Sequence, residues 1–169
     1  MIQRYKKTFL RIINNSYEVV EKTCIFTFNQ PFETMNKIEH IGIAVNNLSK
    51  SVPLYELLLN TSCYKTEIVA SEHVNTAFLK TGENKIELLE ATDDDSAIAK
   101  FLEKKGEGIH HIAFAVDNHL EEMERLKANG FVLLNDVPKK GADNKMVCFV
   151  HPKNTNGVLI ELCQEIKWI

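Results

Sequence analysis

The sequence predicts an α+β fold of two tandem βαβββ modules, and three observations carry that expectation. Residues 38–47, IEHIGIAVNN, return 71 positions later as IHHIAFAVDN, identical without a gap at Ile38/Ile109, His40/His111, Ile41/Ile112, Ala44/Ala115, Val45/Val116 and Asn47/Asn118. Two later segments echo each other as well: KIELLE at 85–90 and LIELCQ at 159–164 align Ile86-Glu87-Leu88 with Ile160-Glu161-Leu162, 74 positions apart. Between these landmarks each half alternates with period two, then shows helical spacing, then alternates again. Duplication of a half-domain explains all three.

Residues 1–34 stand apart from this pattern. They hold five Lys or Arg against three Glu, a net of +2, while the rest of the chain carries −5. We read them as a poorly structured N-terminal extension, with Met35 as the working start. Glu18, Glu21 and a single Ser16 fit a mitochondrial transit peptide poorly. The expected location is cytoplasmic, or the mitochondrial matrix if the extension is a transit peptide. The domain proper is then 35–169, with module one at 36–91, a linker helix at 92–107 and module two at 108–166.

Module one opens with KIEHIGIAV, which alternates as a strand, followed by SKSVPLYELLLN at helical spacing. EIVASEHVNTAFLKTGENKIELLE then supplies two strands joined at Gly82-Glu83-Asn84, a turn signal. The linker TDDDSAIAKFLEKKGEG reads as a helix capped by an Asp or Ser and closed by Gly106. Module two repeats the order with GIHHIAFAV, a helix LEEMERLKANG ended by Gly130, and strands FVLLNDV, KMVCFVHP and GVLIELCQ.

Alternation sorts the two first strands into faces. Ile41, Ile43 and Val45, with Ile112, Phe114 and Val116, form a bulky face expected to pack beneath the following helix, each buried large side chain contributing roughly 1.5–3 kcal/mol. The opposite face carries His40, Gly42 and Ala44 in one copy and His111, Ala113 and Ala115 in the other. Small residues beside a histidine leave room for a ligand. The same parity places His110 with the packing residues and selects His111.

Glu87 and Glu161 lie inside apolar strands, where an ionised carboxylate is costly unless paired, hydrogen-bonded or bound to metal. Each half therefore offers a histidine on its first strand and a glutamate 47 or 50 residues further on. Two imidazoles and two carboxylates suit a divalent first-row ion and leave two positions of a six-coordinate shell for substrate oxygens.

Composition excludes much else. With 169 residues, 44% hydrophobic content and a net charge of −3, the chain has no general attraction for nucleic acid or anionic membrane. Cys24, Cys63, Cys148 and Cys163 contain no CxxC pair, and apolar runs are short of the ~20 residues a membrane span needs.

The paired modules with His40, Glu87, His111 and Glu161 resemble the vicinal oxygen chelate superfamily, whose members fold as a curved mixed sheet around a metal cup. Within it, IEHIGIAV, TGENKIELLE, DSAIAKFLEKKGEGIHHIAF, PKKGA and HPKNTNGVLIELCQ are similar to the methylmalonyl-CoA epimerases, across residues 36 to 166. The resemblance implies interconversion of (2R)- and (2S)-methylmalonyl-CoA through an enediolate, a divalent ion (Co2+, Mn2+ or Zn2+), an acyl-CoA substrate and a homodimer. It gives Glu161 a role in both ligation and proton transfer. The other base of the family is a glutamate on the strand that here reads SEHVNTAF, and Thr76 stands at the best-matching position, so Glu72 is the expected substitute, with His73 beside it. Lys139, Lys140, Lys145 and Lys153 are candidates for the CoA phosphates. His151 is read as fixing the turn before Pro152, and His119 as carrying no chemistry.

The alternatives are a glyoxalase I-type lactoylglutathione lyase and a metal-free binding protein of the same fold. The HPKNTNG turn departs from the DPDG-like turn usual in the first, and the small strand faces lack the aromatic cleft of the second. A ring-cleaving dioxygenase needs the position Glu87 would fill.

Overall fold

The computed structural model describes residues 3–13, 16–26 and 35–166. The chain divides into two compact units, Met1–Thr34 and Met35–Ile169. In the first, β1 (Gln3–Ile13) pairs antiparallel with β2 (Ser16–Phe26), from Gln3↔Phe26 to Ile13↔Ser16. The extension expected to be poorly structured thus contains two paired strands.

The second unit holds module one as β3 (Ile38–Ala44), α1 (Leu48–Leu59), β4 (Cys63–Val69), β5 (Val74–Thr81) and β6 (Asn84–Ala91). A linker helix α2 (Ala97–Lys105) follows, and then module two with β7 (Gly108–Ala115), α3 (His119–Ala128), β8 (Lys139–Lys140), β9 (Lys145–Val150) and β10 (Leu159–Glu165). The eight strands form one mixed, curled half-barrel in the order β4-β5-β6-β3-β7-β10-β9-β8. In each module the first and last strands are parallel, β3 with β6 and β7 with β10. The two copies of the repeated strand meet antiparallel at the centre, with His40 opposite Ala113 and Gly42 opposite His111.

The repeat ends where a helix begins, and its last shared residue explains why. Asn47 caps α1 by accepting from the amide of Lys50 (3.1 Å), and Asn118 caps α3 by accepting from Leu120 (3.1 Å) and Glu121 (3.4 Å). Asparagine satisfies amides that the first helical turn leaves without partners. In the linker, Ser96 and not an aspartate is the cap, accepting from Ile98 at 3.1 Å, and Gly106 closes the helix at φ 75°.

The helices pack as the spacing predicts. Leu48, Val52, Tyr55 and Leu59 line one side of α1 and cover Val45, Ala77, Leu79 and Leu88 together with Ile43. Met123 and Leu126 of α3 cover Val116, Cys148, Val150 and Leu162. On the other face α2 lays Ile98, Phe101 and Leu102 over Ala44, Val74 and Leu89. Ala44 therefore belongs to this core and not to an open cup.

FVLLNDV is not a regular strand. Leu133 makes an isolated bridge to Val150, and Asn135 then turns its side chain inward to accept from the amide of Phe149 at 3.1 Å. A side-chain acceptor that captures the neighbouring strand's donor ends the ladder, and β8 takes over the pairing with β9 through Lys139↔Val147 and Lys140↔Met146. Among the described residues no helix is long and apolar enough to cross a membrane.

Candidate active site

The seam between β3 and β7 brings the two histidines together because each sits opposite a small residue of the other strand. A Cβ on Gly42 would lie 2.2 Å from Cε1 of His111, so the imidazole occupies the space a side chain would take. Part of the volume that the small face leaves is filled by His111 itself.

All four expected ligands converge. His40 Nε2 lies 2.9 Å from His111 Nε2, 3.2 Å from Glu87 Oε2 and 3.8 Å from Glu161 Oε2. His111 Nε2 lies 3.5 Å from Glu87 Oε2 and 3.1 Å from Glu161 Oε2. Each of the four residues is at most 5% exposed. Around one ion with bonds of about 2.1 Å, neighbouring donors stand ~3.0 Å apart in an octahedral shell and ~3.4 Å apart in a tetrahedral one, so His40, His111 and Glu161, mutually within 4.8 Å, could hold a divalent cation, with Glu87 Oε2 beside both imidazoles.

The electrostatics also ask for positive charge at this point. Burial alone would push His40 down, but hydrogen bonds with Glu39 and Glu87 and the fields of Glu87 and Glu161 lift its pKa to about 10. Burial would raise Glu87, yet its bonds with His111 and His40 hold it at about 2. The carboxylates that favour a proton on His40 would favour a cation at the same point.

Three residues that alternation did not single out complete the site. Glu39 is 5% exposed and bonds His40 Nδ1 through Oε2 at 2.5 Å, while its Oε1 pairs with Lys85 and, at 3.3 Å, with Lys145. His110 faces His111, with their Nδ1 atoms 3.0 Å apart, and not the packing side to which parity assigned it. Cys163 donates its thiol to Glu161 Oε1 at 3.0 Å, and burial pushes that thiol well above its ordinary pKa, so it keeps the proton it donates.

The cluster forms the floor of an open cleft with an apolar wall that includes Val69, Val74, Leu89 and Ile98. Glu72 and Lys139, which are paired at 2.5 Å, line the same cleft from different modules. Thr76 is 2% exposed and also lines it, so the position where the family pattern places a carboxylate does face the cleft. Lys140 and Lys145 line it too, but Lys145 directs its ammonium at Glu39 and Glu165. Lys153 lies in the 3-10 turn at 152–154, outside the cleft lining, and His73 pairs with Asp93 away from it. His151 Nδ1 accepts from the amide of Lys153 at 3.1 Å and fixes the turn as expected. His119 is 2% exposed and donates from Nε2 to the carbonyl of Leu162 at 2.9 Å, a structural role.

Comparison with known proteins agrees with this geometry. The sequence profile of the Glyoxalase/Bleomycin resistance protein/Dioxygenase superfamily matches residues 39–149. The chain is 41% identical over 130 residues to the uncharacterized protein YqjC of Bacillus subtilis, covering 77% of this chain and 93% of that one. It is 38% identical over 132 residues to the ethylmalonyl-CoA/methylmalonyl-CoA epimerase of Cereibacter sphaeroides, covering 77% and 98%. A solved structure of a Streptomyces coelicolor methylmalonyl-CoA epimerase variant in complex with 2-nitronate-propionyl-CoA superposes with a TM-score of 0.74 at 34% identity, covering 78% of this chain and 96% of that one. The paired modules, the four converging donors and these matches together place the chain in the Glyoxalase/Bleomycin resistance protein/Dioxygenase superfamily.

Proposed function

We propose that the protein is a methylmalonyl-CoA epimerase that inverts the α-carbon of its acyl-CoA substrate by proton removal and return. The observation that carries this reading is the convergence of His40, His111, Glu87 and Glu161 on one point at the floor of a cleft that Glu72 also lines. Relatives named as epimerases of this substrate support it.

His40, Glu87, His111 and Glu161 are the residues that would hold a divalent ion, whose chemistry is to stabilise the negative charge developing on the thioester and carboxylate oxygens. The chain's own contribution is proton handling and exclusion of water. Epimerisation needs one group to take the α-proton and a second to deliver a proton to the opposite face. Glu161 on β10 and Glu72 in the turn before β5 are the two carboxylates assigned here, and they come from different modules. The Cys163 thiol holds Glu161 Oε1 in place, whereas Glu72 is engaged by Lys139, a cation whose natural alternative partner is the anionic substrate. Lys139 and Lys140 are assigned to the CoA phosphates, and Val69, Val74, Leu89 and Ile98 keep the reacting carbon away from bulk water. The family's homodimer belongs to the same reading.

The test is deuterium incorporation at the α-carbon of methylmalonyl-CoA in D2O, followed by proton NMR. Wild-type protein should exchange and epimerise, and chelated protein should do neither. Glu161→Ala should abolish exchange, while Glu72→Gln should keep metal affinity and slow epimerisation by roughly 10²–10⁴-fold. Wild-type rates in Glu161→Ala would refute its role, and an inert wild-type protein loaded with Co2+ would refute the substrate.

A further inference from the structure

On a regular strand, residues 39 and 110 would point away from residues 40 and 111. They do not, and the register shows why. Between the pairs Ile38↔Phe114 and His40↔Ala113, β3 advances two residues while β7 advances one, so Glu39 is the extra residue of a β-bulge. Between Gly42↔His111 and Ile43↔Ile109 the roles reverse, and His110 is the extra residue on β7. A bulge leaves one residue unpaired and re-aims its side chain. Both bulges fall at the same place in the duplicated strand, one residue before the ligand histidine.

Each re-aimed side chain reaches the Nδ1 atom of the histidine that follows it. Glu39 Oε2 stands 2.5 Å from His40 Nδ1, and His110 Nδ1 stands 3.0 Å from His111 Nδ1. We infer that Glu39 and His110 are positioning residues for the two imidazole arms, set by equivalent bulges, and that their different acceptors make the His40 arm the tighter one. A proton held on Nδ1 leaves the Nε2 lone pair facing the cluster. Behind His40 the acceptor is a carboxylate, fixed in turn by Lys85 and Lys145. Behind His111 the acceptor is a second imidazole, packed edge-on to Phe101 with ring centroids 5.1 Å apart. With the two Nδ1 atoms 3.0 Å apart, a proton on His111 Nδ1 requires the lone pair of His110 Nδ1 as its acceptor. An anionic acceptor raises the donor strength of the imidazole in front of it more than a neutral one does.

This inference rests on the metal-binding part of the proposed function and not on its substrate. The test is titration of Co2+ into chelator-stripped protein, read by competition with a metal indicator and by the visible spectrum of the bound ion. Glu39→Gln should weaken Co2+ binding about 10–100-fold, the range seen for partners of this kind. His110→Phe, which keeps the packing and removes the acceptor, should weaken it less. His110→Asn, whose Oδ1 can take the place of Nδ1, should return affinity to near the wild-type value. Circular dichroism of the stripped proteins checks folding, and if Glu39→Gln fails to fold, the contrast between His110→Phe and His110→Asn decides the question. Equal affinity and an unchanged spectrum in Glu39→Gln, or equal losses in the two His110 variants, would overturn the inference. A wild-type protein that shows this ranking but leaves methylmalonyl-CoA unaltered would overturn the proposed substrate and support the positioning role.

Discussion

Gly42 shows how a single missing atom shapes the site. The His111 ring lies where its Cβ would be, with Cε1 at 2.2 Å. Gly42→Ala should therefore lower stability by about 1–3 kcal/mol and also displace His111. Thermal unfolding checks the first effect and Co2+ titration the second, and a variant that melts lower with unaltered Co2+ affinity would separate them. The histidines themselves predict a pH dependence for the metal-free protein. The raised pKa of His40 contributes stability that is complete below about 6.5 and lost as pH rises through about 10. The lowered pKa of His110 contributes stability that is present above about 6.5 and lost as pH falls through about 4. From these two residues the melting temperature of stripped protein should peak near pH 6.5 and decline on both sides. At this scale the convergence of His40, Glu87, His111 and Glu161 was legible because the duplication repeats both the histidine and the glutamate. Glu39 and His110 were not, since strict alternation sends them to the other face and only a bulge brings them back.

At the scale of elements, the repeated asparagines are visible in the sequence, and their purpose becomes clear only when the helices start beside them. Asn118→Ala removes the acceptor for two amides of α3. It should cost about 1 kcal/mol of stability in denaturant unfolding while Co2+ affinity stays within twofold, because the cap touches none of the ligands. Helical spacing located all three helices, and the Gly82 turn located the β5–β6 hairpin. The segment FVLLNDV misled because hydrophobic pattern does not register competition for backbone donors. Asn135 accepts the amide of Phe149, so that stretch stops after one bridge.

For the whole molecule, the decisive relation is that each module supplies two of the four donors and the β3–β7 seam joins them. On the proposed function, metal binding and assembly of the halves are therefore one equilibrium. Co2+ at 100 times its dissociation constant should raise the unfolding free energy by about 2.7 kcal/mol. Urea unfolding should show this as a shift in midpoint with the slope unaltered, and a chelator should reverse it. The overall architecture was readable from the duplication. The hydrogen-bonded charges beneath the floor were not, because they join residues as far apart as Lys85 and Asp143.

Those charges have an outcome for the order of events. Beneath the cleft, Lys85 and Lys145 pair with Glu39, Asp143 and Glu165, and Glu87 and Glu161 face the two imidazoles, so these carboxylates outnumber these ammonium groups by five to two. A proton on His40 offsets one of those negative charges. In the proposed metal-bound state a dication in place of that proton would make the floor one charge more positive. On the proposed function, that added positive charge would favour entry of an anionic thioester, so the cation is expected to arrive first and the acyl group second.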